Sequence, residues 1–132
     1  MQIVILYVST AVVFLVLDAV ILKSVMRPLF ERHIGNMLSD TLNLGAAAVF
    51  YLFYVGGVIY LISLPALRDN APTQALWGGA LLGAMAYGTY EFTNFATLKN
   101  WHWQMVATDL VWGTVLTGVS ALAGVLITRA FA

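Results

Sequence analysis

The sequence predicts an all-α integral membrane protein, a bundle of four transmembrane helices with a short interfacial helix between helices 1 and 2. Composition is the first reason, since 61% of the 132 residues are hydrophobic and 9% are charged, against roughly 25% charged in soluble domains. Four apolar runs are the second reason, at residues 3–22, 42–64, 75–98 and 105–127. About 20 apolar residues let a helix cross a bilayer. We therefore treat residues 1–132 as one transmembrane domain.

The same composition excludes several classes of protein. Six basic and six acidic side chains are too few to cover a soluble domain, and their balance argues against a nucleic-acid partner. The chain has no cysteine, so thiolate metal sites and thiol catalysis are excluded. Its two histidines lack metal-site spacing, and no nucleotide-binding motif is present. We predict neither a metal site nor a cofactor.

The connections between the spans differ in length and charge. Residues 23–41 form the longest connection, in which Pro28 suits the first turn of a short helix. The apolar positions that follow share one helical face, as an interfacial helix requires: Phe30, Ile34, Met37 and Leu38. Residues 65–73 read as a plain turn because they contain two prolines.

Basic residues predict the orientation. The first and third connections carry Lys23, Arg27, Arg32 and Lys99. The opposite side carries Arg68 and Arg129. The positive-inside rule then places both termini outside the cytoplasm. The first span lacks a basic start and a small-residue cleavage site, so we expect it to be retained.

Small residues recur at helical spacing within the spans. Gly79 and Gly83 on the third span, and Gly113 and Thr117 on the fourth, are each four residues apart. Such stripes let membrane helices approach closely, so we expect packing seams there. The pair at residues 56–57 predicts another close approach.

Polar residues inside the spans lie at one end of the predicted bundle. They are Asp18 in the first span, Asn43 in the second, Glu91 and Asn94 in the third, and Asp109 in the fourth. In an alternating bundle these positions share one membrane face. Ionisable groups within spans are costly and usually functional, so this layer is the candidate site. We expect Asp18, Glu91, Asn94 and Asp109 to meet, directly or through water.

Helical spacing adds aromatic residues to this layer. Tyr87, Glu91 and Asn94 share one helical face, which Tyr90 flanks, and Asp109 and Trp112 share another. Tyr51 and Tyr54 lie deeper on the second span, while Trp101 and His102 lie in the third connection. We predict a pocket with acids at its mouth and aromatic walls, suited to an amphiphile or an organic cation.

Purely structural roles compete with this interpretation. Glu91 and Asn94 suit a helix end, and Asp109 suits the positive end of a helix dipole. Asp18 can pair with a loop arginine or lysine. The tryptophans and histidines of the connections also suit the headgroup layer: Trp101, Trp103, His33 and His102.

Two motifs resemble a known family. The run from Tyr87 to Leu98 (YGTYEFTNFATL), followed by Trp101 and then by residues 109–113 (DLVWG), resembles the bacterial membrane proteins of domain of unknown function 2177. Residues 50–54 (FYLFY), residues 65–67 (PAL) and Asp18 are also similar, so the resemblance covers the whole chain. The family usually has aspartate at the position of Glu91. The resemblance implies a small multi-pass protein of the bacterial inner membrane and no established activity.

Three functions remain open. The first is binding or modifying a lipid or isoprenoid-like amphiphile, with Glu91 and Asp109 as acid and base and Asp18, Asn94 and Tyr87 orienting it. The second is a small proton-coupled transporter acting as a homo-oligomer. The third is a non-catalytic partner of another membrane protein.

Overall fold

The computed structural model describes residues 1–38 and 43–131, in which six α-helices follow one another. They are α1 (Gln2–Ile21), α2 (Arg27–Ile34), α3 (Leu44–Val58), α4 (Leu64–Arg68), α5 (Pro72–Thr97) and α6 (Trp103–Phe131). These described ranges contain no β-strand, so the predicted all-α class is confirmed. Asp40, Thr41 and the predicted start of the second span at Leu42 lie outside the described residues.

Two π-helical segments extend the first and third helices. Leu22–Met26 joins α1 to α2, and Ile59–Ser63 joins α3 to α4. Each ends two residues before a proline, Pro28 or Pro65. Proline has no N–H to donate to the carbonyl four residues earlier. The wider π turn, with its bonds to the fifth residue, precedes the proline in both places without ending the helix.

Three continuous helices are long and apolar enough to cross a membrane, namely Gln2–Met37, Leu44–Arg68 and Trp103–Phe131. Helix α5 has 26 residues, which is also long enough, but its Gln, Thr, Glu and Asn residues make it less apolar. The membrane architecture is confirmed, and the fourth crossing stays a prediction of the sequence.

Two predicted connections are partly helical. The expected short helix is present as α2, but it continues α1 through the π segment without a separating loop. Pro65 was expected in a turn and instead lies in α4, within the continuous helix Leu44–Arg68, where the preceding π-helical segment accommodates it. The turn itself is shorter and includes Asn70, with φ of 52°, a left-handed conformation that asparagine tolerates.

Helix α6 lies at the centre of the bundle and packs most extensively against α5. A Cβ atom on Gly79 would lie 2.9 Å from the carbonyl oxygen of Thr117, and one on Gly113 would overlap the Tyr87 ring. The predicted seams at these glycines are therefore present. The predicted close approach at residues 56–57 is wrong, because a Cβ on Gly56 or Gly57 would meet nothing within 4 Å.

Helix α1 packs on α6 through every fourth residue. Its buried side chains are Leu6, Thr10, Phe14 and Asp18, a spacing that keeps them on one face. Gly124 of α6 leaves room for Thr10, since a Cβ there would overlap the threonine hydroxyl. This face carries Asp18 into the bundle interior.

Helix α2 folds against the beginning of α6. Leu29 and Ile34 are buried with Trp101, Met105 and Val106. The partly buried residues Phe30 and Leu38 pack against this cluster, as the predicted apolar face requires. Met37, expected on that face, is exposed.

Candidate functional site

Asp18 is the meeting point of three helices. Its carboxylate accepts a hydrogen bond of 2.6 Å from the Tyr51 hydroxyl on α3 and one of 3.1 Å from the Trp112 indole nitrogen on α6. Only 4% of its surface is exposed. Each carboxylate oxygen therefore has a donor, and both donors are neutral side chains.

The competing interpretation of Asp18, an ion pair with a loop cation, is wrong. In residues 1–38 and 43–131 the salt bridge formed is Arg27 to Glu31, on the exposed surface. The helix does not end near Asp18 but continues to Met37, and Lys23 and Arg27 remain exposed along it. Because Tyr51 and Trp112 are close enough to donate, the buried carboxylate is satisfied without a cation.

Aromatic rings form a wall beside Asp18. Phe14 contacts Tyr51 and Tyr54 edge to face, at centroid distances of 5.6 and 5.7 Å. Tyr54 also contacts Tyr87 at 6.4 Å, and its hydroxyl lies 2.9 Å from that of Thr117. Tyr51, Tyr54 and Tyr87 are thus brought together, as the sequence predicts. Phe14 and Thr117 were missed as site residues, although Phe14 stands one helical turn before Asp18.

Glu91 is the centre of a second polar cluster. Its side chain is 0% exposed, and its Oε1 accepts a hydrogen bond of 3.1 Å from the Trp101 indole nitrogen. Its Oε2 is buried and has no hydrogen-bond partner among the described residues. The half-buried carboxyl of Asp109 lies beside it. A role for Glu91 at an exposed helix end does not fit this burial.

Two polar residues of the predicted layer lie outside these clusters. Asn43 is exposed and caps α3, since its side-chain oxygen accepts a hydrogen bond of 3.1 Å from the Ala46 amide. That is a structural role typical of asparagine before a helix, so its predicted place in a binding pocket is not supported. Asn94 is half-buried near the end of α5.

Asp18 and Asn94 form no direct hydrogen bond to the other polar residues that were expected to meet them within the described chain. Glu91 and Asp109 are neighbours, and Asp109 also feels the charge of Asp18. Asp18 and Glu91 instead accept hydrogen bonds from tyrosine and tryptophan side chains. The predicted polar layer therefore consists of two separate clusters, one around Asp18 and one around Glu91. Asp109 belongs to the Glu91 cluster and is also affected by the charge of Asp18.

Trp101 anchors the third connection over Glu91. Its ring packs edge to face with Phe30 of α2 at 5.4 Å and with Tyr90 of α5 at 5.9 Å. It is buried, so it is not an exposed belt residue, whereas Trp103 is 60% exposed. The burial decides between the two interpretations that the sequence left open for Trp101.

The two histidines stack on each other at the same end. The rings of His33 and His102 are 4.3 Å apart and nearly parallel, at 14°. The Nδ1 atom of His102 accepts a hydrogen bond of 3.0 Å from the Gln104 amide. The sequence predicts that both histidines lie on the same side of the membrane, in the first and third connections. It does not predict that their rings stack, because they are 69 positions apart in the chain.

A groove runs along the outer side of α1, α2 and α6 near this end. One section, of about 510 Å³, is lined by Ser24, Arg32, Gln104 and other residues. The other, of about 460 Å³, is lined by Ile21, Val111, Trp112, Val115 and others. The sections share Val25, Ala107 and Thr108, so they form one groove. Of the predicted site residues, Trp112 alone lines either section.

The comparison with protein families agrees with the resemblance in the two motifs. Residues 3–126 match the family described as predicted membrane protein, DUF2177. The chain belongs to the DUF2177 family. No curated protein and no solved structure matches it. Membership supports a membrane protein of unknown function and assigns no role to Asp18 or Glu91.

The chemistry available to this DUF2177 protein is that of carboxyl groups beside phenols and indoles. Within residues 1–38 and 43–131 no three histidine, cysteine, aspartate or glutamate side chains are grouped so that they could hold a metal ion. Each carboxyl oxygen of Asp18 already accepts one hydrogen bond. Glu91 has a buried oxygen without a donor and Asp109 lies beside it, so these two acids remain the candidates for proton chemistry.

Proposed function

We propose that this protein binds an anionic membrane lipid in the groove between α1, α2 and α6. One observation carries the proposal: along a single groove the lining changes from a section that mixes polar and apolar side chains, called the polar section here, to one that is almost entirely apolar. The polar section includes Ser24, Arg32 and Gln104, and the apolar section includes Ile21 and Val115. A lipid has the same order of a polar head followed by an apolar chain.

The polar section suits a phosphate-containing headgroup. Arg32 supplies a permanent positive charge and a planar set of donors that can bind two phosphate oxygens at once. Gln104 and Thr108 add neutral hydrogen-bonding groups on the α6 side. These residues favour an anionic headgroup over a zwitterionic one, because the section contains no acidic residue to attract a positive amine.

The apolar section suits an acyl or isoprenoid chain. Ile21, Val111 and Val115 are aliphatic, and Trp112 contributes its indole. A lipid chain gains little from the hydrophobic effect in this groove, because it leaves a bilayer that is already apolar. The preference for one lipid over another must therefore come from the shape of the groove and the charge of the headgroup. Trp112 is held by Asp18, which gives this wall of the groove a defined orientation.

Lipid retention tests the proposal. The purified chain is placed in nanodiscs of equal phosphatidylglycerol and phosphatidylcholine, extracted with mild detergent, and its retained lipid is measured by mass spectrometry. We expect phosphatidylglycerol to be enriched. Arg32→Gln should remove the enrichment, and Arg68→Gln, which changes an exposed arginine at the opposite end of the spans, should preserve it.

A second pair of variants tests the chain-binding section. Val111→Trp fills the groove and should lower retention of both lipids, whereas Leu126→Trp, at an exposed position of α6 away from the groove, should not. Equal amounts of the two lipids on the unmodified protein, or an enrichment that survives Arg32→Gln, would contradict the proposal.

A further inference from the structure

The neighbouring carboxyl groups of Glu91, which is buried, and Asp109, which is half-buried, lie apart from the groove and are not used by the proposed function. Glu91 is fully buried with one donor, Trp101, on Oε1 and none on Oε2. A buried oxygen without a hydrogen bond is costly. Oε2 of Glu91 therefore lacks a hydrogen-bond partner, and a bound ligand would provide one.

Charges around the pair add to the cost of two ionised carboxylates. The titratable side chains that act on them from the packed helices are all acids or phenols: Asp18 of α1, Tyr51 of α3, and Tyr87 and Tyr90 of α5. No lysine, arginine or histidine forms an ion pair with either group within residues 1–38 and 43–131. Two adjacent carboxylates in a medium of low dielectric constant repel strongly.

We propose that Glu91 and Asp109 form a proton-binding site and share one proton. A proton on Oε2 of Glu91 turns that oxygen into a donor for the neighbouring Asp109 carboxylate. The pair then carries one negative charge, and the missing hydrogen bond is supplied. The proton comes from water and returns to water when the site empties, so no other reactant is needed.

A proton suits this site better than a metal ion. Oxygen-binding cations such as Ca²⁺ take six to eight ligands, and the described chain brings no third histidine, cysteine, aspartate or glutamate to this place. Paired carboxyl groups that hold a single proton are an established arrangement in proteins. Asp18 differs, since its two neutral donors already satisfy both oxygens.

Infrared spectroscopy of the unmodified full chain in nanodiscs tests the site directly. A protonated carboxyl group has a C=O stretch that ionised carboxylates lack, and the band moves to lower frequency in D2O. We expect this band at neutral pH, at which exposed carboxyl groups are ionised. Its absence from the unmodified protein at neutral pH would overturn the proposal, independently of how any variant folds.

Variants assign the band to the pair. Glu91→Gln should abolish it, and Asp109→Asn should shift it because the hydrogen-bond acceptor changes from a carboxylate to an amide. Glu31→Gln and Asp69→Asn, at exposed positions, should leave it unchanged. A band that persists at its original frequency in the folded Glu91→Gln and Asp109→Asn proteins, or one that disappears in Asp18→Asn alone, would place the proton elsewhere and overturn the proposal.

Discussion

The indole nitrogen of Trp112 donates a hydrogen bond of 3.1 Å to Asp18, which is 94 positions earlier in the chain. This bond joins α1 to the central helix α6, and the Tyr51 hydroxyl joins α3 to the same carboxylate. One acidic side chain thus ties together three helices. It also connects the groove, which Trp112 lines, to the interior of the bundle.

The first prediction concerns the energy of this bond. Asp18→Ala and Trp112→Phe should each destabilise the protein, and the double variant should lose less than the two changes together, with a coupling of about 0.6–1.7 kcal/mol. The reason is that either change alone breaks the same bond. Unfolding in detergent, followed by circular dichroism, measures it.

The control cycle uses an exposed tryptophan, Trp77, in place of Trp112 as the second mutated position. Trp77 is 72% exposed, so Asp18→Ala and Trp77→Phe should be additive. Additivity in the Trp112 cycle as well would show that the bond contributes nothing to stability.

The second prediction concerns helix packing at Gly113. Gly113→Ala places a methyl group into the Tyr87 ring, and we expect a loss of about 1–3 kcal/mol from overpacking. Gly57→Ala is the matched control, because nothing lies within 4 Å of its added methyl group. It should be neutral or stabilising by up to about 1 kcal/mol. Thermal unfolding of both variants tests this, and equal midpoints would disprove it.

The third prediction concerns the donor to Glu91. Trp101→Phe keeps an aromatic ring between Phe30 and Tyr90 but removes the N–H that Oε1 accepts. We expect a loss of about 1–3 kcal/mol, the cost of an unpaired buried polar group. Trp103→Phe, at an exposed position, should change stability little. Denaturant titration compares the two, and a larger effect at Trp103 would refute the assignment.

The fourth prediction concerns the docking of α2. Ile34→Ala removes buried contacts with the cluster around Trp101 and Met105, so α2 should open more often. Hydrogen exchange of the amides in Arg27–Ile34 should become faster, while exchange in the centre of α5 stays unchanged. Met37→Ala, at an exposed side chain, is the control. Unchanged exchange in the Ile34 variant would mean that this cluster does not hold α2.

Much of the site could be predicted because helical spacing is local. Tyr87 and Glu91 share a face of α5 whatever the rest of the molecule does, and Asp18 marks an acid inside an apolar helix. The partners of these acids were not predictable. Trp101 was equally suited to the headgroup layer, and its burial depends on Phe30 and Tyr90, which lie on two other helices.

The sequence by itself determined the all-helical membrane class, the family and the end of the bundle where the acids lie, because composition selects the solvent and periodicity selects the helix. Only the tertiary structure decided that Asp18 binds Tyr51 and Trp112 instead of a cation, and that Glu91 keeps one oxygen without a donor. The physical reason is that such contacts depend on how each helix is rotated and how closely it approaches its neighbour. Gly113 is one example, because the absence of a side chain there lets α6 approach the Tyr87 ring of α5 closely.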